Sequence, residues 1–440
     1  MQTRRNRKDC AFVRFYHRLG FGAIRKTRSL SVAELLLAIC VGLAASGPIL
    51  AADPGSGQRF QADRVVAFGD VHGAYDPLVR LLRASGVVDA DLNWSAGTTH
   101  VVSLGDILDR GQGARPALDL LMRLQAEAEA TGGRLHVVLG NHELMNLIGD
   151  LRYVPDAEFA SFTADASRQE TSESPATGST AASSIQHKVG YPERYDAFGP
   201  DGHYGAWLLA QPSALIVNDT AFVHGGLPPV AATMSPADLD RTVKARLTEL
   251  LQLRSDLETA GVIESRADIQ ATALRLKEAR TPTPPAAANP GSAADQPAPS
   301  PPAPSAPPLA PELEAKVARF IELAEDDLFG DGGPMWYRGT ALCHDVLERP
   351  VLEAALANWQ AKRVVVGHTP TWDNRVRERF GGLAILADTG MLHEYYRGQP
   401  AALILEGSRT RVLYADDPAT VAAPDPRNGL EFELLDSPTV

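Results

Sequence analysis

Five short polar motifs carry the residue types that could bind metal ions in this 440-residue chain. Carboxylate, amide and imidazole ligands in one place form a mixed oxygen and nitrogen site. Such a site suits Mn, Fe or Zn, whereas a dedicated Ca site is built from oxygen alone. The adjoining glycines let the backbone approach a bound ion closely. The motifs are Gly69-Asp70-Val71-His72-Gly73, Gly105-Asp106 followed by Asp109-Arg110-Gly111, Gly140-Asn141-His142-Glu143, His224-Gly225-Gly226 and Gly367-His368-Thr369.

Each motif follows a short apolar run that predicts a β-strand. Amphipathic stretches over 76–84 and 114–130 predict helices between the first three runs, which indicates an α/β architecture. Ligands in α/β sheets bind beyond the carboxyl ends of the strands, so we expect the five motifs to meet at one edge. The runs are Arg64–Phe68, Thr99–Leu104, Leu135–Leu139, Ala214–Val223 and Arg363–Val366, with closing strands at Leu383–Ala387, Ala401–Leu405 and Arg411–Tyr414.

The five motifs together resemble the metallophosphoesterase (calcineurin-like) superfamily. Asp109-Arg110-Gly111 and Asn141-His142-Glu143 are similar to its phosphoprotein phosphatase branch. Within that branch the chain resembles the Shewanella-like protein phosphatases, over about Arg64 to Tyr414. The further segments that carry this resemblance are 145–154, Gly333-Pro334-Met335-Trp336-Tyr337-Arg338-Gly339 and Asp388-Thr389-Gly390. The resemblance implies a four-layer α/β/β/α sandwich with two divalent metal ions, Mn, Fe or Zn.

The resemblance also implies a role for each motif residue in a metal-dependent phosphoric monoester hydrolase. A hydroxide between the two ions would attack phosphorus in line, because a metal pair can hold both the attacking and the leaving oxygen. The implied ligands are Asp70 and His72 on the first ion, Asp106 bridging both ions, and Asn141, His224 and His368 on the second ion.

Four further side chains would complete the catalysis implied by the resemblance. His142 would donate a proton to the leaving oxygen, and Asp109 would orient its imidazole. Arg110 and Arg338 would hold phosphate oxygens in bidentate fashion, together with Asn141 and His142. Glu143, Asp388 and His393 are expected to be structural.

The charge distribution limits the class of partner. The formal net charge is −12, and residues 1–52 contribute nine basic and two acidic side chains, so residues 53–440 carry −19. A body this acidic is repelled by phosphate backbones, which argues against a nucleic-acid partner. Three cysteines in the whole chain exclude a disulfide framework.

Residues 1–52 have the layout of a signal peptide. A basic segment precedes an uncharged apolar run from Leu35 to Ala52, which ends in small residues. We therefore expect export, to the periplasm in a bacterium. If the signal is not cleaved, residues 35–52 approach the ~20 residues that span a bilayer and would anchor the chain in a membrane.

The remaining chain divides into a catalytic domain over 60–420, two interruptions and a tail over 421–440. Residues 161–188 are rich in Ser, Thr, Ala and Glu and predict a mobile low-complexity loop. Residues 236–330 predict a helical insert around a linker over 281–311, which contains twelve prolines and one charged residue, Asp295. The sequence gives no indication of oligomeric state.

Two activities remain open from the sequence. The first is a protein phosphatase for phosphotyrosine or phosphoserine/threonine, with small phosphomonoesters as further substrates of an exported enzyme. No Ser-Ala-Pro-Asn-Tyr segment stands near the C-terminus, where Asp388-Thr389-Gly390 is found instead. The alternative is a dinucleoside polyphosphate hydrolase of the diadenosine tetraphosphatase type, which the Gly-Asp-x-His-Gly and Asp-Thr-Gly elements also resemble. A phosphate sensor without activity is disfavoured because the implied ligands and His142 are all present.

Overall fold

The structure, a computed structural model, describes residues 58–163, 185–280 and 309–415. The predicted signal peptide and the C-terminal tail lie outside these residues. Most of the predicted loop over 161–188 and of the linker over 281–311 also lies outside them. No helix within the described ranges is long and apolar enough to cross a membrane.

Eleven described strands form two mixed sheets. The first sheet has the order β11-β10-β2-β3-β4, in which β2, β3 and β4 are parallel. The second has the order β1-β5-β6-β7-β9-β8, in which β6, β7 and β9 are parallel. The strands are β1 Arg59–Phe60, β2 Arg64–Phe68, β3 His100–Ser103, β4 Arg134–Val137, β5 Ala214–Val217, β6 Thr220–Val223, β7 Arg363–Val366, β8 Arg377–Arg379, β9 Ala384–Leu386, β10 Ala401–Glu406 and β11 Arg409–Tyr414.

Helices flank both sheets. They are α1 Tyr75–Ala84, α2 Ala114–Ala130, α3 Asn141–Leu147, α4 Asp156–Ala160, α5 Tyr191–Ala197, α6 His203–Ala210, α7 Pro236–Thr259, α8 Ile269–Arg280, α9 Pro311–Ala324, α10 Gly339–Leu342, α11 Asp345–Asn358 and α12 His393–Tyr396. Short 3₁₀ turns lie at Pro229–Ala232 and Asp327–Phe329.

The core has two layers because strand side chains alternate between opposite faces. In β2, Val65 and Ala67 belong to the apolar layer between the two sheets, which also contains Phe222 of β6. Val66 and Phe68 belong to the layer under the helices. A strand buried on both faces needs a continuous apolar run, which β2 has. The α/β/β/α sandwich predicted from the sequence is confirmed.

One predicted strand is wrong in detail. The run from Ala214 to Val223 is an antiparallel hairpin of β5 and β6. The chain reverses at Asn218, which has a φ of 57°. Asparagine is one of the few residues that adopt this left-handed conformation readily, because its side chain bonds nearby backbone. The uninterrupted apolar pattern on either side of Asn218 and Asp219 hides the turn.

Three helices, α7, α8 and α9, occupy the segment predicted as an insert and are joined by ion pairs. Arg280 of α8 binds Glu314 of α9 at 2.9 Å, and Arg319 of α9 binds Glu249 of α7 at 2.7 Å. The segment also contacts the core near the carboxyl end of α3, where the backbone N–H of Ile269 donates to the carbonyl of Ile148 at 3.1 Å.

Candidate active site

The polar motifs converge where strands of both sheets end. Asp70 and His72 follow β2, Asp106 follows β3, and Asn141 begins the helix that follows β4. His224 and His368 follow the parallel neighbours β6 and β7 of the second sheet. All six predicted ligands are buried. The structure thus brings together the residues that the sequence places about 300 positions apart.

Left-handed backbone is concentrated in these loops. Such a conformation costs a non-glycine residue about 1–2 kcal/mol, so it persists only where surrounding contacts impose it. The loop after β2 is tied to the loop after β3 by two bonds to the Asp106 carbonyl, from the N–H of Val71 at 3.0 Å and of His72 at 2.8 Å. The non-glycine residues concerned are His72, Asp106, Asp109, Arg110 and His368, with φ between 48° and 71°.

Asp106 is shared by two sets of candidate metal ligands. Its Oδ2 lies 3.7 Å from His72 Nε2, and its Oδ1 lies 3.3 Å from His224 Nε2. His72, Asp106 and His142 offer ligand atoms within 4.8 Å of one another, as do Asp106, His224 and His368. One carboxylate with an oxygen toward each set can serve two ions.

The histidines present unprotonated nitrogens to the site. His72 Nδ1 lies 2.9 Å from the carbonyl oxygen of Leu108, and His224 Nδ1 lies 2.6 Å from that of Leu104. A carbonyl only accepts, so each Nδ1 carries the proton and the lone pair is on Nε2. Burial lowers the pKa of His72 to about 3 and that of His368 well below its usual value, which keeps both rings neutral. Neutral imidazole is the form that binds metal.

The remaining predicted ligands complete a crowded oxygen and nitrogen site. Asp70 accepts the N–H of His368 at 2.9 Å, and its other oxygen lies 3.7 Å from His72 Nε2. Asn141 Oδ1 lies 3.0 Å from His224 Nε2. Burial, followed by the charges of Asp388 and Asp106, raises the pKa of Asp70 well above its usual value. Closely spaced buried carboxylates are stabilised by a cation between them.

The donor set fits divalent metal ions. The Nε2 atom of His368 is buried and has no hydrogen-bond partner among the described residues. A buried polar atom in that state calls for a partner that the protein itself does not supply. Together with the neutral imidazoles and the shared carboxylate, it matches the ligand chemistry of Mn, Fe or Zn.

The surroundings of His142 differ from those of the other histidines in the site. Its Nδ1 lies 2.6 Å from Asp109 Oδ2, and its Nε2 lies 3.9 Å from Asp106 Oδ2. Burial alone would lower the pKa of His142, but the charge of Asp106 and the hydrogen bond and charge of Asp109 outweigh it and raise the pKa. A raised pKa favours the imidazolium form, which has no lone pair for a metal.

A residue that the sequence analysis did not single out holds this pair in place. Asn146 lies one helical turn after His142 and donates from Nδ2 to Asp109 Oδ1 at 3.0 Å. The same nitrogen lies 2.8 Å from the carbonyl oxygen of His142. The i, i+4 spacing of His142 and Asn146 on α3 was the available signal.

The two predicted phosphate-binding arginines lie in different surroundings. Arg110 contacts His72 Nε2 and the hydroxyl of Tyr396 through Nη1. Arg338 donates from Nη1 to Thr369 Oγ1 at 2.8 Å and to the His368 carbonyl at 3.1 Å. Burial lowers the pKa of Arg338, while the charges of Asp70, Asp106 and Asp388 act in the opposite direction. Arginine stays charged throughout the physiological range, so both side chains are fixed cations.

Three tyrosine rings surround the Arg110 guanidinium. Its Cζ lies 5.5 Å from the ring centroid of Tyr153, 5.2 Å from that of Tyr395 and 5.3 Å from that of Tyr396. Tyr396 also stacks on His72, with 5.6 Å between ring centroids. These contacts attract the cation to the electron-rich faces of the rings and restrict its position. The sequence analysis did not predict this arrangement.

Glu143 stabilises the backbone of the Asp106 loop. Its carboxylate accepts the N–H of Asp106 at 2.7 Å, of Gly140 at 2.9 Å and of Ile107 at 2.8 Å. Burial and the charge of Asp106 raise the pKa of Glu143 to about 6. It makes no contact with the open part of the site, in line with the structural role expected of it.

Asp388 and His393, which were both expected to be structural, differ in their position relative to the predicted metal ligands. Asp388 is buried beside Asp70, and its Oδ2 has no hydrogen-bond partner in the described part of the chain. Burial raises the pKa of Asp388 to about 6. His393 is exposed, and its Nδ1 lies 2.8 Å from the carbonyl oxygen of Gly398. Asp388 therefore adjoins the ligand set and His393 does not.

Comparison with known proteins agrees with the chemistry of this site. Residues 63–268 match the family model described as calcineurin-like phosphoesterase. The chain is similar to Shewanella-like protein phosphatase 2 of Arabidopsis thaliana, with 33% identity over 210 residues, which are 42% of this chain and 54% of the relative. It is also similar to Shewanella-like protein phosphatase 1 of Plasmodium berghei, with 30% identity over 185 residues, 42% of this chain and 44% of the relative.

The chain spans about half the length of these two curated relatives. Among solved structures, it is similar to the cold-active protein-tyrosine phosphatase of a psychrophilic Shewanella species. That comparison gives 25% sequence identity and a TM-score of 0.48, and it covers 82% of this chain and 80% of the other.

Proposed function

We propose that this chain is a metal-dependent phosphomonoesterase that acts on phosphoproteins. The starting point is its calcineurin-like phosphoesterase domain. The observation that carries the proposal is the position of His142. Its imidazole is bound by Asp109 at 2.6 Å and faces Asp106, the carboxylate shared by both sets of candidate metal ligands. A proton donor beside a two-ion site is the arrangement that expulsion of an alkoxide or phenoxide from phosphate requires.

Six side chains would hold the two metal ions. A bound pair of divalent ions supplies Lewis acidity toward phosphate oxygens and lowers the pKa of water toward neutrality. Asp106 would be shared by both ions, because one of its oxygens lies 3.7 Å from His72 Nε2 and the other lies 3.3 Å from His224 Nε2. The residues are Asp70, His72 and Asp106 for one ion, and Asp106, Asn141, His224 and His368 for the other.

The arginines bind the transferring phosphate and His142 moves the proton. Arg110 and Arg338 offer planar guanidinium groups that match two phosphate oxygens at a time. As the bond between phosphorus and the leaving oxygen breaks, His142 donates the proton on Nε2 to that oxygen. Asp109 stabilises the imidazolium before the transfer and fixes the direction of its Nε2–H.

The tyrosine rings around Arg110 favour an aryl phosphate. A phosphate held by Arg110 places its ester group next to Tyr153 and Tyr395, which are 42% and 60% exposed. Aromatic rings prefer edge-to-face or offset contact with one another. Within the protein phosphatases named among the relatives, this arrangement supports phosphotyrosine over phosphoserine or phosphothreonine.

A substrate panel tests the proposed function. Residues 53–440 are treated with a chelator and reloaded separately with Mn, Fe, Zn or Mg. Turnover is then compared for phosphotyrosine peptide, phosphoserine peptide and diadenosine tetraphosphate. We expect that added metal restores activity and that this activity is highest on the phosphotyrosine peptide. Preferential cleavage of diadenosine tetraphosphate would replace it with the polyphosphate hydrolase.

A further inference from the structure

A groove of about 700 Å³ opens beside the candidate active site. It begins at Arg110 and extends along the amino-terminal end of α1 toward α12. This volume lies within the range of about 300–1,000 Å³ that is typical of ligand-binding clefts. Because Arg110 also contacts His72, a phosphate at the site and a bound group in the groove would be neighbours.

The floor of the groove is backbone held by close glycine contacts. Gly111 donates to the carbonyl of His72 at 3.0 Å, and Gly113 donates to that of Gly73 at 3.0 Å. A Cβ on Gly73 would lie 2.6 Å from the Gly111 carbonyl oxygen, so a side chain cannot be added there without moving the loops apart. The groove is therefore a preformed part of the site and not a gap between mobile side chains.

Apart from Arg110, the charged residues that line the groove are acidic. Asp76 in the first turn of α1 and Glu394 on α12 both line it and are both exposed. Neither carboxylate makes a hydrogen bond or ion pair with any other residue in the described ranges. The apolar surfaces between them belong to Pro77, Leu392 and Tyr395. The groove thus offers apolar contact and two negative charges, neither paired within the described ranges, next to a phosphate-binding arginine.

We infer, on the basis of the proposed phosphatase function, that this groove binds the polypeptide segment that flanks the phosphorylated residue and selects a lysine or arginine in it. A long basic side chain can lay its methylene groups on Tyr395 and Pro77 while its cation meets Asp76 or Glu394. An acidic flank would be repelled by the same carboxylates. Complementary charge across an interface contributes mainly to such discrimination between partners.

Two phosphopeptides that differ only beside the phosphorylated residue test this inference. One carries arginines there and the other carries glutamates. In the wild-type chain we expect kcat/KM to favour the basic peptide by about tenfold, as two solvent-exposed charge pairs would give. The preference should shrink as salt is added, since the groove is open to solvent.

A pair of double variants assigns the preference to the groove. Asp76→Asn with Glu394→Gln should bring the ratio of kcat/KM for the two peptides close to one. Asp201→Asn with Glu264→Gln removes the same charge from exposed residues outside the groove and should keep the wild-type ratio. Because the ratio is taken within each variant, a general loss of activity cancels.

The outcomes separate this inference from the function on which it rests. An equal ratio in the wild type, or an unchanged ratio in the groove variant, would overturn the groove assignment while the phosphatase function stands. Absence of turnover on p-nitrophenyl phosphate and on both peptides would count against the phosphatase function itself. In that case, equilibrium binding of the two peptides to the His142→Asn variant still measures the groove preference, and equal affinities would reject it.

Discussion

The carboxylate of Asp109 lies 2.6 Å from Nδ1 of His142, while Nε2 of the same ring is 3.9 Å from Asp106. The two nitrogens of one imidazole therefore face two different carboxylates, one that orients the ring and one that belongs to the candidate metal centre. This relationship fixes the orientation of the imidazole within the site. It also separates the role of His142 from those of the neutral histidines His72 and His368.

The His142→Asn variant tests the acid assignment. Asparagine keeps a polar side chain but cannot donate a proton as an acid, so turnover of a phosphoserine substrate should fall by about 10²–10⁴-fold. Turnover of p-nitrophenyl phosphate should fall much less, because p-nitrophenolate leaves without protonation. Steady-state kinetics on the two substrates provide the comparison. His187→Asn, at an exposed histidine, is the matched control. Equal losses on both substrates would reject the assignment.

Asn146 should act on the reaction through Asp109. Replacing it with leucine removes the bonds to Asp109 Oδ1 and to the His142 carbonyl while keeping a similar volume. We expect kcat for phosphoserine to fall by about 5- to 30-fold, the effect of one or two hydrogen bonds, with KM nearly unchanged. The loss on p-nitrophenyl phosphate should be smaller, since that reaction depends little on the acid.

The Asn358→Leu variant is a control that distinguishes loss of positioning by Asn146 from a general loss of stability. Asn358 also donates two hydrogen bonds to backbone carbonyls, those of Ala231 and Met234, but at a distant part of the fold. Asn358→Leu should lower thermal stability and change turnover of both substrates equally. If Asn146→Leu behaves in the same way, Asn146 contributes to stability alone.

Sequence reasoning brought the candidate metal ligands together because each lies in the segment that follows a strand. Asp70, Asp106 and His368 occupy loops that begin within two residues of a strand end, so a prediction of the strand also places the residue. Asn146 and Tyr396 were not predicted to support the acid or Arg110, because their contacts depend on the direction of a helix and on the packing of a distant loop. A pattern of residue types carries no such information.

The hairpin of β5 and β6 is a second feature that the sequence analysis did not predict. Both strands are buried on both faces, and the turn-forming pair Asn218-Asp219 between them was the available signal. The turn depends on the left-handed backbone of Asn218, whose side chain also bonds Ala62 through 3.0 and 2.8 Å contacts. Those contacts join residues more than 150 positions apart and become visible only in the folded chain.

Stability should fall in acid because of His136. This residue is buried at the far end of the first sheet, where its Nε2 lies 3.1 Å from His100 Nδ1. Burial, with the charges of His100 and Arg134, lowers the pKa of His136 to about 3. Below the ordinary histidine value near 6.5, the unfolded chain therefore takes up a proton that the folded chain does not.

The contribution of His136 to the pH dependence of the free energy of unfolding can be measured directly. Between about pH 6 and pH 3, His136 should lower the free energy of unfolding by up to about 1.4 kcal/mol for each unit of acidification. Urea unfolding at several pH values in this window, for wild type and His136→Asn, isolates the contribution as a difference in slope. Identical slopes for the two chains would contradict the lowered pKa.

We propose that Asp106 is shared by two metal ions at the site of hydrolysis. The most direct test is to measure metal content and p-nitrophenyl phosphate turnover together, in the wild type and in Asp106→Asn, after chelation and reloading. We expect two ions per wild-type chain, with activity restored by metal. In Asp106→Asn we expect less than full occupancy and loss of activity, while Asp201→Asn should behave as the wild type. Full metal content in Asp106→Asn, or undiminished turnover by the chelated wild-type chain, would contradict it.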